Sequence, residues 1–110
     1  MLTTKDAEKA CDFIRDNATK YSKAKANRLY LEQLRKSKKS LLMQQITKGT
    51  VADREAYAYG HPEYLDLLEA LKLAVEEEER IKWMMEAAAI KTELWRSQEA
   101  TNRGIDKAHR

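Results

Sequence analysis

The sequence predicts an all-α protein, and three observations carry that reading. The chain of 110 residues holds only three Gly and one Pro, 35% of its residues are charged, and 7% are aromatic; that mix favours long helices over a sheet. From Pro62 to Arg103 there is neither Gly nor Pro. Along that stretch Tyr64, Leu67, Leu68, Leu71, Ala74, Val75, Ile81, Met85, Ala88 and Trp95 recur at three-and-four spacing, the period of one helical face. The expected architecture is two long antiparallel helical arms joined by a short helix, a single domain assembled into an oligomeric helical bundle.

The N-terminal arm is expected over about residues 4–48. Thr3 or Thr4 is placed to cap its start, Asp6 and Glu8 sit in the positive first turn, and Gly49 suits the position just past its end. A bend is allowed for near Asn17 to Thr19, where short polar side chains compete for the backbone. Thr50 with Asp53 caps a short helix of about residues 51–59, which Gly60 ends. Pro62 then starts the next helix at once, because a first-turn residue needs no amide proton. The long C-terminal helix spans about 62–103, a rod of roughly 63 Å at ~1.5 Å per residue. Gly104 is read as its stop, with 104–110 a tail. Glu76 with Arg80, and Glu78 with Lys82, are helical pairs in the favourable orientation.

A second stripe, Trp83, Met84, Ile90 and Leu94, falls on another side of the same helix. Two apolar sides need more cover than one partner helix gives, so a homo-oligomer, a helical dimer or a larger ring, is expected. The alternative is a monomeric bundle in which this stripe packs on residues 5–21.

Charge is distributed unevenly. Between Asn17 and Lys48, Lys20, Lys23, Lys25, Arg28, Arg35, Lys36, Lys38, Lys39 and Lys48 stand against one acid, Glu32, whereas the whole chain carries only +3. Such a segment suits a polyanion or an acidic protein surface. On a helical wheel Ala26, Tyr30, Leu34, Ser37 and Leu41 gather on one side, with Leu31 and Leu42 at its edge, and Lys25, Arg28, Arg35, Lys36 and Lys39 occupy the opposite quadrant. Cations along such a ridge can follow a phosphate backbone, with affinity that depends on salt and little on base sequence. Lys25, Arg28, Arg35, Lys36, Lys38 and Lys39 are therefore the candidate nucleic-acid-binding residues, single-stranded DNA being the favoured ligand. Tyr57, Tyr59 and Tyr64, clustered with His61 and near Arg54, are candidate base-stacking residues; packing at a helix junction is their other reading. Arg96, Ser97, Gln98, Asn102 and Arg103 form a second polar patch.

The ridge also has a structural reading. In an antiparallel pair, positions summing to about 110 lie side by side, which sets Glu76 to Glu79 beside Leu31 to Leu34 and lets the acids pair with Arg28 and Arg35. Exposed pairs of this kind are weak enough for a polyanion to compete.

An enzyme is not expected. His61 and His109 have no second ligand at helical spacing, and no metalloprotease helix, phosphate loop or nucleophile elbow is present. Adjacent glutamates at 76–79 point around a helix instead of converging on a metal. Cys11 is the only cysteine, so no intrachain disulfide forms and a reducing cytoplasm is the expected location. No cofactor, membrane span or signal peptide is expected.

The stretches Tyr21-Ser-Lys-Ala-Lys-Ala-Asn-Arg-Leu-Tyr-Leu31, Arg35-Lys-Ser-Lys-Lys-Ser-Leu-Leu-Met43, Asp53-Arg-Glu-Ala-Tyr-Ala-Tyr59 and Leu94-Trp-Arg-Ser-Gln-Glu-Ala-Thr-Asn-Arg103 resemble a group of small helical proteins of tailed bacteriophages, over most of residues 20–103. A Tyr/Ala/Arg/Lys helix before a short linker, over about residues 20–60, is similar to the recombination-mediator proteins of myoviruses. Those proteins load a recombinase onto single-stranded DNA as oligomers. The phage group resembled has no assigned activity, and the second similarity implies DNA binding; the leading expectation is a non-enzymatic phage accessory protein in the host cytoplasm that binds single-stranded DNA in replication or recombination. The competing expectation is a helical protein-interaction module, an inhibitor or adaptor of a host or phage protein.

Overall fold

A computed structural model describes residues 1–108 and has three α-helices: α1 (Thr4–Gln44), α2 (Val51–Gly60) and α3 (Pro62–Ala108). No strand occurs among the described residues, and no helix there is long and apolar enough to cross a membrane. The chain divides into two compact units, one of Met1–Tyr21 with the chain from Arg80 onward, the other of Ser22–Glu79.

Local chemistry sets the helix starts. Thr3 and Asp6 cap α1 reciprocally: the Thr3 amide donates to Asp6 Oδ2 at 2.8 Å, and the Asp6 amide donates to Thr3 Oγ1 at 3.1 Å. Thr50 and Asp53 repeat the device at α2, at 3.0 and 3.1 Å. Pro62 opens α3 as expected, and His61 caps it: the His61 carbonyl accepts from the Tyr64 and Leu65 amides, while Nδ1 accepts from the Glu63 amide.

The helix ends differ from the sequence reading. Helix α1 stops at Gln44, one turn before Lys48. Its last turn tightens, the Gln45 and Ile46 amides donating to the carbonyls of Leu42 and Met43 three residues back. Gly49 is thus not the residue just past α1. With φ of +104° it turns the chain into the α2 cap, where an added Cβ would come within 3.1 Å of the Asp53 carboxylate. No break occurs near Asn17, because its side-chain amide donates back to the Phe13 carbonyl at 2.8 Å within the helix. Gly104 does not stop α3, which continues to Ala108. A helical glycine costs about 1 kcal/mol relative to alanine, too little to terminate a helix otherwise in register.

In each long helix the inward residues follow a heptad, three then four residues apart. In the unit of residues 22–79, α1 turns in Ala24, Arg28, Leu31, Arg35, Lys38 and Leu42, and α3 turns in Tyr64, Leu67, Leu71, Ala74 and Glu78, with Leu68 beside them. Its core is Leu42, Ala58 and Tyr64, with Met43 and Leu68 packed against it. Val75, expected on the inner face, is exposed, and the next seam position belongs to Glu78. In the other unit, Ala7 and Ala10 of α1 and Ile81 of α3 are buried. The α3 stripe of Ile81, Met85, Ala88 and Trp95 is the one turned in. Most of the second stripe does not pack on residues 5–21: Trp83, Ile90 and Leu94 are 60%, 60% and 58% exposed, and Met84, 44% exposed, only borders a groove with Asp6, Lys9, Ala10 and Phe13. Both sides of α3 are apolar, and the inward stripe already occupies the α1 face.

Candidate functional site

Helix α1 carries the basic segment, and its heptad decides which cations face outward. Arg28 stands at a seam position and is held by two carboxylates. Its Nε and Nη2 donate to the two oxygens of Glu78, at 2.5 and 3.0 Å, and its Nη1 donates to Glu32 at 3.1 Å. The fork of donors matches the carboxylate edge, and Glu78 is buried, so the pair is shielded from solvent. Hydrogen bonds to Glu78, then to Glu32, hold the guanidinium more firmly protonated than usual. Arg35 is half-buried, with its Nε enclosed and without a hydrogen-bond partner.

The remaining inward cations meet the turn region. Lys38 pairs with Glu63 at 3.2 Å, and Lys39 with Glu55 at 3.5 Å, its ammonium 4.7 Å from the centre of the Tyr59 ring. Tyr59, and then the nearby Glu55, raise the Lys39 pKa above its ordinary value. Only Lys25 and Lys36 of the six candidate residues are exposed, together with Lys20, Lys23 and Lys48 elsewhere in the segment.

The wheel reading of α1 is therefore met only in part: Arg28, Arg35 and Lys39 of the basic quadrant turn inward with Leu31, Leu34 and Leu42, while Lys25 and Lys36 stay exposed. The side with Arg28 and Arg35 faces inward, and the side with Ala26, Tyr30, Ser37 and Leu41 is exposed, Tyr30 at 63% and Leu41 at 57%. Leu29, at 45%, lies between that side and Lys25 and Lys36. The physical reason is that α1 has no single apolar face. Apolar residues occur all around it, and the acids of α3 give the basic side a partner.

The pairing register also shifts. In the unit of residues 22–79, Arg28 meets Glu78 and Lys38 meets Glu63, so sums are 106 and 101 instead of about 110. Ending α1 at Gln44 accounts for about one turn of shift, as at Arg28; Lys38 reaches further, to Glu63 in the first turn of α3. The expectation that the acid quartet pairs with Arg28 holds through Glu78; no ion pair of the quartet with Arg35 is formed. Residues 22–79 carry ten basic and ten acidic side chains, which leaves this unit formally neutral despite its basic helix.

The tyrosine cluster is mostly packing. Tyr64 is buried, and Tyr59 meets it edge-on at 5.3 Å between ring centres. Tyr57 sits edge-on to His61 at 5.5 Å and donates its hydroxyl to Gln45 at 2.9 Å. Tyr64 is thus no stacking platform, while Tyr57 and Tyr59 keep partial exposure. Arg54, near them in sequence, is half-buried with its Nε unpartnered.

The polar patch of α3 is similarly divided. Gln98 closes the start of the chain, its side chain accepting from the Leu2 amide and donating to the Leu2 carbonyl. Arg96 pairs with Glu93 at 3.1 Å. Ser97 and Arg103 are exposed, and Asn102 is half-buried. Among the described residues no group of three His, Cys, Asp or Glu side chains is placed to hold a metal; His109 lies outside those residues. Cys11 is exposed, its Sγ 3.9 Å from Thr92 Oγ1.

One groove of about 400 Å³ opens in the unit of the chain termini, lined by Asp6, Lys9, Ala10, Phe13, Met84, Ala87, Ala88 and Lys91. Sequence reasoning passed over this groove and the exposed Leu29, Tyr30 and Leu41. No apolar signal in the sequence marks the exposed residues: the seam from Ala7 to Leu42 includes Asn17, Arg28, Arg35 and Lys38, and Tyr30 and Leu41 lie off it.

Comparison with protein-family models, with curated proteins and with solved structures gave no match.

Proposed function

We propose that the chain is a non-enzymatic helical protein-interaction module, an adaptor or inhibitor that docks on an acidic protein surface through the outward side of α1. The observation that carries this reading is the exposure of Leu29, Tyr30 and Leu41 in the segment that also presents Lys25 and Lys36. Protein interfaces combine an aromatic and aliphatic centre with a charged rim. A nucleic-acid backbone would use the lysines and leave the leucines idle. Arg28, Lys38 and Lys39 are engaged by carboxylates, which lowers what they can offer a phosphate. In the phage setting that the resemblance implies, the partner is a host or phage protein in the host cytoplasm.

Binding of single-stranded DNA in phage replication or recombination is the second reading. One observation favours it: Lys20, Lys23, Lys25, Lys36 and Lys48 stay exposed, and Tyr30 offers an exposed ring in the same segment. The experiment is a titration of purified protein against labelled single- and double-stranded oligonucleotides at two salt concentrations, beside affinity capture with the parent and with Tyr30→Ser/Leu41→Ser. Retention of one specific protein, lost in that variant and unaccompanied by oligonucleotide binding, supports the module. Salt-sensitive oligonucleotide binding supports the second reading, and Lys25→Gln/Lys36→Gln should then lower the single-strand salt slope by about 1.4.

A further inference from the structure

Helix α3 has a face turned away from α1 with a heptad of its own. Trp83, Ala87, Ile90 and Leu94 are exposed and lie roughly 200° around the helix from Ile81, Met85 and Ala88. Glu86 borders this stripe on one edge and Lys91 on the other, both exposed. We propose that the stripe docks a second copy of this chain, α3 beside α3 in parallel, with Ala87 and Leu94 in one set of core positions and Trp83 and Ile90 in the other.

Charge selects the occupant and its direction. In a parallel two-stranded seam a residue on one edge meets the residue five positions on in the other helix. Glu86 therefore meets Lys91 of the second copy, and the two-fold axis repeats the contact. An antiparallel pair would instead bring Glu86 near Glu93 of the second copy, like against like. The same face pairs favourably with itself in one direction only.

The area fits a weak, reversible dimer. The stripe presents on the order of 400 Å² of apolar surface per copy, so two copies cover about 800 Å² from these side chains alone. A stable interface buries about 1,200 Å² or more in total. Met84, Ala87 and Lys91 also line the groove that reaches Phe13, so the apolar surface continues past the stripe. The stripe shares no residue with the outward side of α1 in residues 22–44, so the proposal stands whichever ligand that side binds.

The test is sedimentation of the full chain from low to high micromolar concentration, with circular dichroism of each variant. The parent should show a monomer–dimer equilibrium. Ile90→Glu should raise the dissociation constant at least about 30-fold with helicity kept, as for a central interface residue. Glu86→Lys and Lys91→Glu should each weaken association, by about 3- to 10-fold for the two symmetric contacts, and together should restore it. A parent that stays monomeric, a dimer indifferent to Ile90→Glu, or tighter association of Glu86→Lys overturns the proposal. If Ile90→Glu loses helicity, the charge-reversal pair decides, and failure of the double variant to recover overturns it.

Discussion

Replacing Leu42 by alanine tests whether the small core at the turn holds residues 22–79 together. Leu42 is fully buried and packs with Ala58 and Tyr64, with Met43 and Leu68 against them. Truncation removes three carbons from an apolar site, about 2.4 kcal/mol at ~0.8 kcal/mol each. A cavity term adds to this, but Met43 and Leu68 are half-buried and able to close part of the space, so the expected loss is about 3 kcal/mol, within the usual 2–5. Urea denaturation followed by circular dichroism should show that loss as a lower midpoint. Hydrogen exchange should show it residue by residue: amides of 22–79 that open with the core should exchange about 100-fold faster, at 1.4 kcal/mol per decade. A loss below about 1 kcal/mol, or exchange accelerated elsewhere and not in 22–79, would refute the assignment of Leu42 as the anchor of this unit.

Gly49→Ala should destabilise by about 1–3 kcal/mol, since it puts a side chain at positive φ and against the Asp53 carboxylate, as thermal melts would show. Gly104→Ala should do the opposite, adding up to about 1 kcal/mol, because the glycine is helical with open space around it. Glu78→Leu should lower the denaturation midpoint by leaving Arg28 with Glu32 alone, and adding Arg28→Leu should recover it, as a double-mutant cycle can measure. The Thr3 and Thr50 amides, followed by their hydroxyls, hold the Asp6 and Asp53 carboxyls below the ordinary 3.8. A depressed folded pKa gives stability that is full above the unfolded value and is lost as pH falls through the folded one. Asp53→Ala should therefore narrow its gap from the parent in acid melts below about pH 4, and a gap constant down to pH 2 would contradict this.

The helices and their starts were legible because their signals are local. Thr50 with Asp53, and Pro62 after Gly60, each act within one turn of the residue concerned. The inner stripe of α3 was also legible, since Tyr64, Leu71, Ala74 and Ile81 repeat an apolar choice. What the sequence hid was the orientation of α1. Its seam alternates Leu31 and Leu42 with Arg28, Arg35 and Lys38, so apolarity does not mark the inside. Only the acid at position 78, fifty residues away, makes Arg28 an inward residue. Gly49 and Gly104 were misread for a related reason: a glycine permits a helix end without requiring one. The neighbouring cap explains the first, and the uninterrupted register of α3 explains the second.

Both tryptophans, Trp83 and Trp95, and Tyr21 belong to the unit of the chain termini, whereas the other four tyrosines, Tyr30, Tyr57, Tyr59 and Tyr64, belong to residues 22–79. The indoles are thus confined to one unit. A ligand that perturbs indole emission touches the unit of the termini, at Trp83 on the face where a second copy is proposed to sit or at Trp95 on the inward stripe; one that leaves the indoles unchanged and perturbs phenol absorption touches Tyr21 or the tyrosines of residues 22–79. Self-association and partner binding, which both change mass in a sedimentation cell, become separable by wavelength in the native protein, before any residue is changed.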